Sequence, residues 1–240
     1  TECPARHSVL CNNSAGHSVL NIPIICEGGD FLVINKPAGL VVHQGEGHSE
    51  SDTLANGLLA KYPKIAKIGD DPIRPGIVHR LDGDVSGVMV IAKTQDMYDH
   101  LKAQFKTHEV EKEYVALGEG HVSPAQGVID FPIDRKEGKM VARAKGQEGK
   151  MAVTEYEIVD QGNKETRKQG NTTLLKIVTR TGRTHQIRVH LKAKGWPIVG
   201  DKIYGSENSK KSSRLMLHAR RLAFKDLKGE RREFVVNPNF

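Results

Sequence analysis

The chain has 240 residues, with 36 Lys and Arg against 29 Asp and Glu, and a formal net charge of +7. That length accommodates one large domain or two small ones with a usable core, and no apolar run approaches the ~18 residues of a membrane span. The basic excess favours a polyanionic partner through phosphate neutralisation and counterion release, although solubility alone accounts for it as well.

No basic segment followed by an apolar run opens the chain, so no leader is expected and a cytoplasmic location is. Cys3, Cys11 and Cys26 all fall within the first 26 residues. An odd count without C-x-x-C argues against a disulfide framework or a ribbon-type zinc site. Cys3, His7, Cys11 and His17 match no regular metal-ligand spacing. No metal is expected, and residues 1–21, in which HSVL occurs twice, read as a tail or linker.

From Ile22 the pattern becomes orderly. FLVINKPAGLVVH reads as a strand over 31–34, a turn over 36–39 and a strand over 40–42. Asp52 can cap a helix carrying Leu54, Leu58 and Leu59 that ends near Tyr62-Pro63. Residues 76–78 and 88–92 look like buried strands. Thr94 is placed to cap a helix with Met97, Leu101 and Phe105 on one face. EKEYVALGEG returns to a strand, the polar patches 134–150 and 161–171 read as loops or hairpin ends, and 172–179 is another strand. In RTGRTHQIRVHLKAKGWPIVGD, Thr184 can cap a short helix with Ile187 and Leu191 on one face, Gly195 suits its end and Pro197 prevents continuation. From Arg214 the text suggests two strands joined by Lys228-Gly229. Strands dominate without alternating regularly with helices, which predicts an α+β fold with a mainly antiparallel mixed sheet.

The segment GIVHRLDGDVSGVMVIAKT holds one acid, Asp82, after His79, Arg80 and Leu81. A protein-kinase H-R-D needs a Gly-rich phosphate loop, a strand lysine and a D-F-G, and none is present. P-loop, G-x-G-x-x-G, H-E-x-x-H, zinc-deaminase and G-x-S-x-G patterns are also missing. What remains is a carboxylate acting without an obvious metal or nucleotide cofactor. An aspartate, ionised at neutral pH, is a poor general acid but an available nucleophile or charge stabiliser. The bland alternative is a strand-end salt bridge or an Asx-turn into Gly83. A second basic cluster, Arg180, Arg183, His185, Arg188 and His190, surrounds a turn and helix whose N-terminal end suits a phosphate, unless it is simply a solvated basic helix.

HRLDGDVSG resembles the signature H-R-L-D-x-x-T-S-G of the RluA-type pseudouridine synthases. Asn35-Lys36-Pro37-Ala38-Gly39 through His43, Lys112-Glu113-Tyr114-Val115-Ala116, TGRTHQIRVHL through Tyr204-Gly205, and Arg214-Leu-Met-Leu-His218-Ala resemble four further blocks of that family, in the same order. Val85 stands where the family usually has Thr, which predicts altered local hydrogen bonding with activity retained. The stretch before the first block is too short for the N-terminal RNA-binding domain that many relatives carry, so residues 22–240 are expected to form the catalytic domain alone.

The resemblance implies that the protein isomerises uridine in structured RNA to pseudouridine without a cofactor, flipping the target base into a cleft. It implies Asp82 as the catalytic carboxylate, Tyr114 stacking on the uracil and Arg183 pairing with Asp82. Arg80 would fill the gap left by the flipped nucleotide or hold its phosphate. His79, Lys36, Lys112 and Arg188 would contact phosphate or support the site, and Leu215 or Leu217 would pack on the base, unless they are ordinary core. Large-subunit ribosomal RNA is the first expected target and transfer RNA the second. The expected protein is a monomer with no membrane or nucleotide partner. Two other readings stay open: a catalytically silent RNA-binding protein of the same fold, and a carboxylate-dependent nucleoside hydrolase, a class that generally wants two carboxylates.

Overall fold

The structure, a computed structural model, describes residues 7–11, 20–44, 53–161, 172–207 and 209–240. Its elements in chain order are β1 (His7–Cys11), β2 (Leu20–Glu27), β3 (Phe31–Lys36), α1 (Leu54–Lys61), a 3₁₀ turn (Pro63–Lys67), β4 (Ser86–Ala92), α2 (Gln95–Lys106), β5 (Glu111–Glu119), β6 (Gln126–Ile129), β7 (Ile133–Lys136), β8 (Lys139–Ala142), β9 (Thr154–Asp160), β10 (Thr172–Thr179), α3 (Gln186–Ala193), a second 3₁₀ turn (Ser209–Lys211), β11 (Leu217–Lys225) and β12 (Arg231–Val235). The fold is α+β, with a mainly antiparallel sheet and flanking helices. No helix among the described residues is long and apolar enough to cross a membrane.

The chain divides into two compact units: Thr1–Val110 with Arg221–Asn237, and Glu111–Arg220 with Pro238–Phe240. In the first unit β1, β2, β3 and β4 pair antiparallel in that order. Strand β1 thus falls inside the segment that reads as a tail, and Cys26 on β2 is disulfide-bonded, against the expectation from the odd cysteine count. Every residue of β4 is buried, and Leu32, Val33 and Ile34 of β3 are buried in succession. Such continuous apolar runs mark strands covered on both faces. Helix α2 packs on β4. Thr94 caps it as expected, its hydroxyl accepting the Met97 N–H, and Met97 and Leu101 are fully buried. Antiparallel β11 and β12 turn at Gly229 and bring Phe224 and Phe234 against Phe31.

Two expected strands are absent, for identifiable reasons. Residues 40–42 do not pair in a sheet because the Val41 and Val42 carbonyls accept the Leu54 and Ala55 N–H groups at 2.9 and 3.0 Å, satisfying the start of α1. The side-chain cap of that helix is Thr53, whose hydroxyl accepts the Asn56 N–H; Asp52 lies outside the described residues. Residues 76–78 form only the bridge Ile77–Ile91. Gly76 has φ +70, and a Cβ there would stand 2.4 Å from the Ala92 carbonyl oxygen.

In the second unit β5, β10, β9 and β6 pair antiparallel in that order. Strand β10 alternates strictly, with Thr173, Leu175, Ile177 and Thr179 buried between half-buried neighbours. This is the period-two pattern of a sheet with one covered face. The patch 134–150 contains the hairpin β7–β8, as its polar composition suggests, whereas 162–171 lies outside the described residues.

Helix α3 packs on β8 and β9, and Gln186–Leu191 are all buried, not only the Ile187/Leu191 face. Its polar residues are therefore paired internally. Arg188 is 2 % exposed and its Nε and Nη2 donate to the two Asp201 carboxylate oxygens, both at 2.8 Å. Burial alone would raise the Asp201 carboxyl, but Arg188 and the Tyr204 and Ile203 N–H groups outweigh it and hold it below the usual carboxylate range. Of the two roles expected for Arg188, phosphate contact or support, its position is a supporting one: its guanidinium is enclosed and committed to a carboxylate. Asp201→Ala, which strands a buried guanidinium, should destabilise the protein by about 3–5 kcal/mol. Arg188→Met should cost less, because two backbone N–H groups still satisfy Asp201. Denaturant unfolding of both variants checks the order.

Candidate active site

Asp82 opens a four-residue turn closed by the Val85 N–H, which donates to the Asp82 carbonyl at 3.0 Å. Leu81 and Val85 are buried and anchor the turn, while Asp82 is half-buried and Asp84 exposed. Val85 makes its contribution through its backbone and its buried apolar side chain.

Beneath this turn lies Lys36, at 0 % exposure. Its ammonium donates to the carbonyls of Pro37 at 2.9 Å, Leu40 at 2.7 Å and Gly83 at 2.9 Å. An ammonium has three protons, so all are used. The Gly83 carbonyl also accepts the Gly39 N–H at 2.9 Å, where a glycine at φ +88 makes the turn. Lys36 therefore binds the turn after β3 to the residue following Asp82. Burial pushes its pKa down to about 7, against the opposing pull of the Asp82 and Asp84 carboxylates. Of the two roles expected for Lys36, phosphate contact or support of the site, its position is a supporting one: it braces the Asp82 turn from inside.

His79 is half-buried, with its ring stacked on Phe105 at 4.7 Å and its Nε2 accepting the Val90 N–H at 3.1 Å. It ties the loop to β4 and α2, a supporting position. Arg80 is exposed, with Nη1 3.5 Å from His43 Nε2, and so remains accessible to a ligand.

In the second unit Tyr114 is half-buried on β5, opposite Ile177 of β10. Lys112 shares its face by strand alternation, and Glu113 points the other way, buried, to Arg220. Leu215 and Leu217 are each 3 % exposed, on the opposite side of the chain from Met216, whose backbone bonds Leu117 and Val199.

Arg183 is exposed at a turn that Gln186 fixes. The Gln186 Oε1 accepts the Arg183 N–H at 3.0 Å and the Thr181 hydroxyl at 2.7 Å, while its Nε2 donates to the Val153 carbonyl and Thr154 Oγ1, both at 3.0 Å. The Arg183 Nε donates to the Met151 carbonyl at 3.0 Å. The cap of α3 is His185, at φ 54, not Thr184, and the Arg183 N–H is already taken by Gln186. The Arg183 and Gln186 N–H groups are thus committed within the turn and are not offered to a phosphate. Thr154 Oγ1 and the Phe131 carbonyl hold the buried His190 ring, whose pKa burial pushes down. Gln186 is the residue that reading the sequence did not single out. Its signal is a long polar side chain at a helix start where Ile187 and Leu191 already mark the buried face.

Among the described residues no group of three His, Cys, Asp or Glu is placed to hold a metal ion. The brace itself has a measurable signature. The Lys36 side chain should titrate near pH 7 by NMR, whereas an unfolded chain's lysine titrates near ~10.4. Between these values the unfolded state binds more protons, so the Lys36 contribution to stability should be least below pH 7 and rise with pH up to about 10.4. Lys36→Met should remove that slope from denaturant unfolding curves recorded across the range.

Comparison with known proteins gives this site a context. A family model described as RNA pseudouridylate synthase matches residues 30–193. An uncharacterized RNA pseudouridine synthase of Aquifex aeolicus is 44 % identical over 191 residues, covering 79 % of this chain and 58 % of its own. The ribosomal large subunit pseudouridine synthase D of Blochmanniella floridana is 43 % identical over 186 residues, covering 77 % of this chain and 54 % of its own. The solved structure of human RNA Pseudouridylate Synthase Domain Containing 1 is similar with a TM-score of 0.73 and 27 % identity, over 92 % of this chain and 84 % of that one. That of human RNA Pseudouridylate Synthase Domain Containing 4 gives 0.67 and 28 %, over 90 % and 88 %. The chain spans a little over half the length of the curated relatives it matches. The matched segment holds the Lys36 brace, the Asp82 turn, Tyr114 and the Arg183 turn, and on this match the chain belongs to the RNA pseudouridylate synthase family.

Proposed function

We propose that the protein isomerises uridine in structured RNA to pseudouridine, with Asp82 as the reacting carboxylate. The observation that carries this reading is the Lys36 clamp, which ties the residue following Asp82, an acid standing at a turn, to the loop after β3. Catalysis by a single charged group depends on its being held where charge develops before the reaction starts. In the isomerisation the bond from ribose C1′ to uracil N1 breaks, the base rotates and C1′ bonds to C5. The proton lost from C5 is balanced by one gained at N1, so no redox partner or net water is consumed. An ionised aspartate serves this either by attacking C1′ or by assisting departure of the base.

Tyr114 is proposed as the aromatic surface on which the extruded uracil stacks, and Arg183 as the planar cation that orients the carboxylate. Arg80 is proposed to occupy the space of the flipped nucleotide or hold its phosphate, and buried Leu215 and Leu217 to back the base. The names of the relatives support large-subunit ribosomal RNA as the first target, with transfer RNA second, and a monomer is proposed as the acting form.

Asp82→Asn keeps the shape of the side chain and removes its charge. It should lower pseudouridine formation in RNA by at least about 10³-fold, read by nucleoside analysis after digestion; a wild-type rate removes Asp82 from the chemistry. Free uracil released from the RNA, in place of pseudouridine kept in the chain, would identify a hydrolase instead. Arg183→Lys keeps charge but loses the planar fork and should also reduce turnover strongly. Tyr114→Phe should retain more activity than Tyr114→Ala, and equal activity of the two would exclude stacking.

A further inference from the structure

Helix α3 carries a histidine that faces inward. His190 is 0 % exposed, with Nε2 at 2.9 Å from the Phe131 carbonyl and Nδ1 at 2.9 Å from Thr154 Oγ1. A carbonyl only accepts, so Nε2 carries the proton. The Gln186 amide cannot be turned over, because its Oε1 accepts the Arg183 N–H and its Nε2 donates to the Val153 carbonyl. That Nε2 also donates to Thr154 Oγ1 at 3.0 Å. Thr154 therefore accepts from Gln186 and gives its own proton to His190 Nδ1, the bare nitrogen of a neutral ring. On the other side of the amide, the Thr181 hydroxyl accepts the Val153 N–H at 2.9 Å and donates to Gln186 Oε1 at 2.7 Å. Thr154, Thr181 and Gln186 are all buried. Every proton of the network has one place, and the turn at Arg183 is what the network holds.

A second proton on His190 ends this order. With an N–H at Nδ1, Thr154 Oγ1 faces two donors, and its own proton has no acceptor at a position with no exposure to water. A buried donor left unmet is unfavourable. Relief requires Thr154 or Gln186 to turn, and Gln186 is what fixes the Arg183 N–H. We propose that His190 is a positioning residue of the isomerase, whose neutral Nε2–H form is required for Gln186 to hold the turn that presents Arg183. The proposal rests on the reading that Arg183 orients the reacting carboxylate. Burial pushes the His190 pKa down; the Phe131 carbonyl and Asp130, which itself holds Lys145 at 2.8 Å, pull the other way. On α3 the nearby Arg188 is committed to Asp201, β9 offers the neutral Thr154, and β8 packs through apolar Met140 and Ala142. The turn is therefore intact above the His190 pKa and released as pH falls through it.

The test joins a pH profile of single-turnover pseudouridine formation with NMR of the wild-type protein. The wild-type rate should fall about tenfold per pH unit below the His190 pKa. His190→Gln offers an acceptor to Thr154 and a donor to Phe131 but takes no second proton, so it should stay active and lose that acid fall. His190→Leu offers neither and should lower the rate at least about tenfold at pH 8, with RNA affinity unchanged. By NMR the ring should hold the Nε2–H tautomer at pH 8, and the Arg183 backbone N–H resonance should shift along the His190 titration curve. Thr154→Val cuts the link and should stop Arg183 from following. An Nδ1–H ring at pH 8, an Arg183 N–H indifferent to His190, or an acid fall unchanged in folded His190→Gln overturns the proposal. Pseudouridine formed while Arg183 stays indifferent defeats the coupling alone. An Arg183 that follows His190 in a protein that makes no pseudouridine defeats the isomerase reading and leaves the coupling of His190 to the turn standing.

Discussion

The first unit is organised around an ammonium with no exposure to water. Burying such a group costs several kcal/mol, and three charge-assisted hydrogen bonds at about 1.5–3 kcal/mol each offset it in part. With its pKa pushed down to about 7, burial outweighs these bonds, so the charged Lys36 adds no net stability. What it adds is geometry. Three carbonyls from two separate stretches of chain, 37–40 and Gly83, must converge on one nitrogen, and Asp82 is covalently attached to one of them. The same loop sends its next two carbonyls, Val41 and Val42, to the N–H groups that start α1. A single buried charge thus sets the loop, the start of a helix and the position of the acid.

The second unit uses a comparable device without a charge. Gln186 satisfies both ends of its amide among Thr181, Arg183, Val153 and Thr154, and Thr154 passes the connection to His190. A half-satisfied buried network is worse than an apolar core, whereas a fully satisfied one specifies a single arrangement. Here it specifies the turn that presents Arg183. The Arg188–Asp201 pair does the same for the far side of α3, through the backbone at Ile203 and Tyr204. Polar residues at the start of this helix consequently hold the turn in place and leave Arg183 exposed.

Much of this was legible in the amino-acid order. Period-two alternation placed β10, the apolar run of 88–92 placed β4, and Thr94 with Met97 and Leu101 placed α2. The ordered blocks around Lys36, Asp82, Tyr114 and Arg183 pointed to the family that the comparisons show. Legibility failed where a residue's partner lies far along the chain. Residues 40–42 have the apolar composition of a strand, yet their carbonyls are claimed by α1 and by Lys36. Lys36 and Arg188 look like phosphate ligands because a lysine or arginine near a motif usually faces solvent, and only burial shows that each is answered from within.

By itself the sequence determined the fold class, most of the element order and the family, because periodicity, caps and motif order are local properties. Tertiary structure decided which cations are internal and which stay at the surface. Lys36, Lys112, Arg183 and Arg188 are equally basic as letters. Their roles separate only through desolvation and through the acceptors that distant segments bring to them: three carbonyls for Lys36, a carboxylate for Arg188, one carbonyl for Arg183, and for Lys112 none among the described residues of its unit.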